Sequence, residues 1–180
     1  ATYLINDLVD IAQDRQHPKK MLRPLASGAL SPMTAKLAAP LFAALGLALA
    51  FQLNHAYGYV IAGYLVMQAG YTFWWKHVVL VDVFVIALGF VMRAVGGVLV
   101  LNAAISPWFY LVTLLGALFL GLAKRRHEIK ILEGSATDHR KILGEYSPAL
   151  LDQALSILGS ATVMAYSLYT FTAPKLPANN

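Results

Sequence analysis

The stretch Val79-Leu80-Val81-Asp82-Val83-Phe84-Val85-Ile86-Ala87-Leu88-Gly89-Phe90-Val91-Met92-Arg93-Ala94-Val95-Gly96-Gly97-Val98-Leu99-Val100-Leu101 carries two ionisable side chains in 23 residues. At ~1.5 Å per residue a helix of that length spans about 35 Å, enough to cross a hydrocarbon layer about 30 Å thick. A water-soluble core helix needs neither that length nor that scarcity of charge.

The sequence on either side repeats the pattern. Apolar runs at 35–53, 57–75, 108–123 and 149–171 bracket the one at 79–101, joined by short connections at 54–58, 76–77 and 102–107. The expected fold is all-α, one polytopic transmembrane helix bundle over 1–180. Ser31 is placed to cap the first full helix, with Pro32 at its first position. Tyr71, Phe73, Trp74 and Trp75 form an aromatic cluster of the kind found where a span meets water. Residues 1–5 run straight into acidic sequence and read as the last turns of another span, so the chain is expected to be incomplete at both ends.

Composition agrees. Of 180 residues 58% are hydrophobic and 13% charged, and the mean hydropathy is +0.60, outside the habit of soluble domains. With no cysteine, neither a disulfide framework nor a thiolate metal site is available. The net charge of +5, from 14 Lys and Arg against 9 Asp and Glu, speaks less for nucleic acid than for orientation. If 6–24 faces the cytoplasm, Lys76 and the segment 124–141 fall on the same side. Lys175 alone lands opposite and Arg93 alone lies deep in a span, a strong positive-inside bias. Asp82 and Arg93 lie three helical turns apart, so they are expected to share a face turned into the bundle, with Gly89, Gly96 and Gly97 as close-packing points between helices.

Chemistry concentrates in Asn6-Asp7-Leu8-Val9-Asp10-Ile11-Ala12-Gln13-Asp14-Arg15, followed by His17, Lys19, Lys20 and Arg23. In a helix, Asn6, Asp10 and Asp14 stack at i, i+4 and i+8, with Asp7 a quarter-turn away. Carboxylates stacked so closely repel one another unless a hard cation or basic groups sit among them. Magnesium carrying a diphosphate satisfies both needs. A solvated, capped helix end would explain any one of these charges, but gives no reason for acids in register followed only by bases.

Asn6-Asp7-x-x-Asp10-x-x-x-Asp14-Arg15 with Arg23-Pro24-x-Ala26-Ser27-Gly28 resembles the first aspartate-rich motif of the UbiA-type intramembrane prenyltransferases. Within that superfamily, His17-Pro18-x-Lys20-x-x-Arg23-Pro24, the block 81–94 and Lys124-Arg125-Arg126-His127-Glu128 resemble the polyprenyl-phosphate phosphoribosyltransferases, the decaprenyl-phosphate branch that serves arabinan precursor synthesis for the cell wall. The resemblance covers nearly the whole chain. It implies a nine-helix bundle in the inner (plasma) membrane with a cytoplasmic active site. Where aromatic prenyltransferases carry a second aspartate-rich motif, this chain has the basic run 124–128, suited to a substrate with a further phosphate.

What the resemblance implies is a magnesium-dependent transferase moving 5-phosphoribose from 5-phosphoribosyl diphosphate to a polyprenyl phosphate. Asn6, Asp10 and Asp14 become the metal ligands, and Asp10, Asp14, Arg15, Lys20 and Arg23 the catalytic set. Asp7, Lys76, Asp82, Lys124, Arg125, Arg126, Glu128, Arg140 and Tyr146 become substrate-binding residues. The partners are those two substrates and membrane lipid, without nucleic acid, and a homo-oligomer is compatible with the pattern. The competing enzyme reading is prenyl transfer to an aromatic acceptor, weakened by the missing second acidic motif. A transporter would want ionisable groups strung across the bilayer, whereas here they gather at one surface.

Overall fold

A computed structural model describes residues 1–103, 106–131 and 144–172. Arg140 and the tail from 173 onward lie outside the described residues. Among the described residues eight α-helices follow in order: α1 Thr2–Val9, α2 Ile11–Gln16, α3 Pro24–Ser27, α4 Pro32–Leu53, α5 His55–Phe73, α6 Val81–Leu101, α7 Pro107–Ile131 and α8 Pro148–Thr172. Short 3-10 turns occupy Lys20–Leu22 and Trp75–His77.

Helices α4, α6, α7 and α8 are long and apolar enough to cross a membrane. The 19-residue α5, with Gln68 and four tyrosines, rises about 28 Å. Each long helix packs against the next, and α1 lies on α4 and α5. The buried cluster Val83, Ala87, Ala117, Leu118, Leu122, Tyr146 and Leu151 sits where α6, α7 and α8 meet. Outward faces show large apolar side chains such as Leu37, Leu41, Leu120 and Val163. That is the polarity a hydrocarbon solvent selects.

The cap at Ser31 forms as expected, its hydroxyl accepting the Thr34 N–H at 3.1 Å. The connection expected over 54–58 contracts to one residue. Asn54 closes α4 and opens α5, its Oδ1 accepting the N–H groups of Ala56 and Tyr57 at 2.8 and 3.3 Å, while its Nδ2 donates to the Leu99 carbonyl of α6 at 3.3 Å. The basic run after 123 is not a break either. It continues α7, because Lys, Arg and Glu are good helix formers and Arg125 pairs with Glu128 one turn on.

Gly96 allows close approach, since a Cβ there would stand 2.8 Å from the Tyr57 ring. Gly97 does not: nothing lies within 4 Å of its Cβ position, because it is turned about 100° away from the side of α6 that meets α5. The expectation for Arg93 is corrected likewise. Asp82 is fully buried, but Arg93 is exposed among the described residues, donating to the Tyr64 hydroxyl at 2.7 Å and lying over the Tyr64 and Phe90 rings. The spacing puts both on one face of α6, but Asp82 meets Arg125 of α7 whereas Arg93 meets Tyr64 of α5.

Candidate active site

The connections bring the C-terminal ends of α1, α5 and α7 and the N-terminal ends of α4, α6 and α8 to one end of the bundle. Two acid–base arms form there.

The first arm is the acidic motif. α1 stops at Val9 and α2 starts at Ile11, with Asp10 (φ −96°, ψ 7°) at the break. The helical rhythm survives it: Asp10 N–H donates to the Asn6 carbonyl at 3.0 Å and Asp14 N–H to the Asp10 carbonyl at 2.8 Å. The side chains, however, do not stand as one column of ligands: Asp10 turns to Lys76, while Asp7 and Asp14 meet on Arg23. Buried Asp14 and half-buried Asp7 both accept from Arg23 Nη1, at 2.9 and 2.8 Å. Asp10 accepts from Lys76 Nζ at 2.5 Å, across 66 positions of sequence, and Lys20 Nζ stands 4.0 Å from Asp14. Among the described residues no three acidic or histidine side chains converge as a metal site would require. Asn6 is half-buried.

Local sequence explains how Arg23 arrives. Pro24 keeps it extended (φ −63°, ψ 145°), and Leu25 and Ala26 are buried beneath it. Gly28 at φ 86° ends α3 in a conformation that suits glycine alone without strain. Arg15 Nε donates to the Ala26 carbonyl at 3.1 Å, so it braces this loop. His17 Nδ1 accepts the N–H groups of Lys19 and Lys20 at 3.2 and 3.3 Å. Burial raises the Asp7 carboxyl above its usual range; Arg23 opposes the shift, and the nearby Asp14 and Asp10 charges add to it.

The second arm is centred on Asp82, whose Oδ2 accepts Arg125 Nε at 2.9 Å and whose Oδ1 accepts the Tyr146 hydroxyl at 2.6 Å. Arg125, itself buried, donates through Nη1 to Glu128 at 2.9 Å. The Tyr146 hydroxyl in turn accepts the Leu80 N–H at 2.8 Å. Burial and the bond to Asp82 push the Tyr146 phenol above its ordinary value. Below this network Leu80, Val83, Phe84, Leu118 and Ile157 help line an apolar cleft of about 230 Å³.

Sequence reasoning grouped Arg126 with Arg125, but the two part. Arg126 turns outward and binds Asp152 of α8 at 2.7 and 3.2 Å, and Lys124 is exposed. Asp152 carried no signal in the sequence, being one acid inside an otherwise apolar run. Leu80 carried none either, since nothing about a leucine announces φ 64°.

The UbiA prenyltransferase family pattern matches residues 1–178. Decaprenyl-phosphate phosphoribosyltransferase of Corynebacterium glutamicum is 37% identical over 173 residues, 95% of this chain and 52% of that protein. The enzymes of the same name from Mycolicibacterium smegmatis and Mycobacterium tuberculosis are 34% and 33% identical, over 94% and 95% of this chain and 54% and 57% of their own lengths. The chain thus spans about half the length of the curated relatives it matches. Together with the four apolar helices, these likenesses make it an integral membrane protein.

Proposed function

Because the chain belongs to the UbiA prenyltransferase family, we propose that the protein transfers 5-phosphoribose from 5-phosphoribosyl diphosphate to a polyprenyl phosphate, at the cytoplasmic face of the inner membrane. One observation carries the reading: carboxylates held by Arg23 and Lys76 share the polar end of the bundle with the buried Asp82–Arg125 pair, so one end can grip two separate phosphate groups. The names of the three relatives support the substrates.

Arg23, Lys76, Lys20 and Arg15 are the cations for the diphosphate. An arriving diphosphate competes with Asp7 and Asp14 for Arg23 and with Asp10 for Lys76, so carboxylate oxygens are released as phosphate oxygens are gripped. The donors so freed on Asp7, Asp10 and Asp14, with the Asn6 amide, are hard oxygens of the chemistry magnesium takes. Magnesium bound there would shield the diphosphate charge as that group leaves. Arg125, oriented by Asp82 and Glu128, serves the 5-phosphate or the lipid phosphate, with Lys124 at the rim. The acceptor phosphate oxygen is already anionic and needs no strong base. It bonds to the anomeric carbon as the carbon–oxygen bond to diphosphate breaks, the diphosphate leaving with the electron pair, so positioning and charge neutralisation carry the rate. The apolar cleft under Leu80 gives the first isoprene units a place between α6 and α8.

The test supplies membranes containing the full-length protein with radiolabelled 5-phosphoribosyl diphosphate, polyprenyl phosphate and magnesium. Label entering the lipid phase, lost in Asp10→Ala and on chelation, is the expected result. Transfer from prenyl diphosphate to an aromatic acid would overturn it.

A further inference from the structure

Leu80 is strained and something holds it. Its backbone (φ 64°, ψ −40°) lies in a region that residues with a side chain rarely enter, and such strain persists only where the surroundings over-determine it. Its carbonyl accepts the N–H groups of Val83 and Phe84 at 3.0 and 2.9 Å, which starts α6, and its own N–H donates to the Tyr146 hydroxyl at 2.8 Å. The hydroxyl then donates to Asp82 two residues further on, so one phenol from the entry to α8 fastens both sides of the turn that begins α6. That turn starts at Trp75–His77, where Lys76 reaches Asp10, and ends at Asp82, which orients Arg125.

We propose that Tyr146 is a positioning residue: by pinning Leu80 in its strained conformation it makes residues 76–82 one rigid bridge, and so fixes Lys76, a cation for the diphosphate, in the place beside Asp10 that a bound diphosphate reads. The inference rests on the phosphoribosyl-transfer reading for its substrate, but not for its geometry. The phenol touches no reacting atom. Its work is done through the Leu80 amide and the Asp82 carboxylate.

The experiment uses full-length protein in detergent and inorganic diphosphate with magnesium as the probe, so that no turnover is needed. Tyr146→Phe keeps the ring and removes the pin. It should weaken diphosphate about tenfold, the effect of one lost hydrogen bond in a charged network, and speed hydrogen exchange at the Leu80 amide. Adding Leu80→Gly should return the affinity to within about threefold of the parent, because glycine holds positive φ without a pin. Leu80→Val, whose β-branch resists that conformation, should reproduce the loss with the hydroxyl still present. Wild-type affinity in Tyr146→Phe, or a double variant no tighter than the single one, overturns the proposal. So does a lower melting temperature with unchanged affinity of the folded fraction, the mark of a merely structural role. Protein that binds diphosphate as described yet transfers no phosphoribose defeats the functional reading instead, and leaves the positioning role standing.

Discussion

Asp82→Asn tests the buried pair most directly. Asp82 is 0% exposed and Arg125 3%, and the carboxylate takes one hydrogen bond from Arg125 and one from Tyr146. Removing one partner of a buried ion pair costs about 3–5 kcal/mol, because the surviving charge stays desolvated. Here Glu128 remains on Arg125 at 2.9 Å, and the asparagine carbonyl can keep the bond from Tyr146 or that from Arg125, which places the effect near the lower end at about 3 kcal/mol. The curated relatives are about twice this length, and for a protein of that size it is a fall in melting temperature of roughly 3–6 °C. Thermal unfolding of the full-length protein in detergent at pH 7, followed by tryptophan fluorescence, reads it. A fall under about 1 °C, below 1 kcal/mol, would refute the claim that Arg125 depends on Asp82 for its charge balance.

Asp7 should make stability pH-dependent. Its raised carboxyl holds a proton more tightly folded than unfolded, so its contribution is complete below pH 3.8 and is lost as the pH rises through the raised value. Asp7→Asn removes that loss, and its stability relative to wild type should increase from pH 3.5 to pH 7; a difference flat in pH refutes the shift. Arg125→Ala should raise the KM for 5-phosphoribosyl diphosphate about tenfold or more, as loss of a charged contact does, whereas Arg126→Ala, which breaks only the exposed pair with Asp152, should leave it unchanged. Equal effects would return Arg126 to the substrate. Finally, these 180 residues contain no cysteine, so single cysteines at Lys130 and Asn54, introduced into a cysteine-free background, report topology. A membrane-impermeant maleimide added outside intact cells should label position 54 and spare 130, and the reverse pattern would invert the orientation.

Helix positions were legible because span length and hydropathy are sums over neighbouring residues. The run 79–101 announces α6 within two residues, and Ser31-Pro32 announces the start of α4 through its own hydroxyl. Ends set by side chains were read less well: Asn54 replaces a loop with a single cap, and 124–131 extends α7 where charge alone suggested a break. The roles of the acids were half legible. Their spacing marked a site that collects cations, but Asp7 and Asp14 share Arg23 while Asp10 goes to Lys76, a division settled by which base each carboxylate can reach.

By itself the sequence determined a bundle of membrane-crossing helices, its charge asymmetry, and an acidic helix end joined to a basic loop, since each follows from hydropathy or spacing over a few turns. Only the tertiary structure decided that Lys76 answers Asp10 from 66 positions away, that Arg125 and Tyr146 close on Asp82 from 43 and 64 positions, and that Arg93 stands uncovered. Those pairings are made by helices packing side by side. Which charge meets which depends on the rotation of each helix about its axis, a quantity that no local pattern encodes.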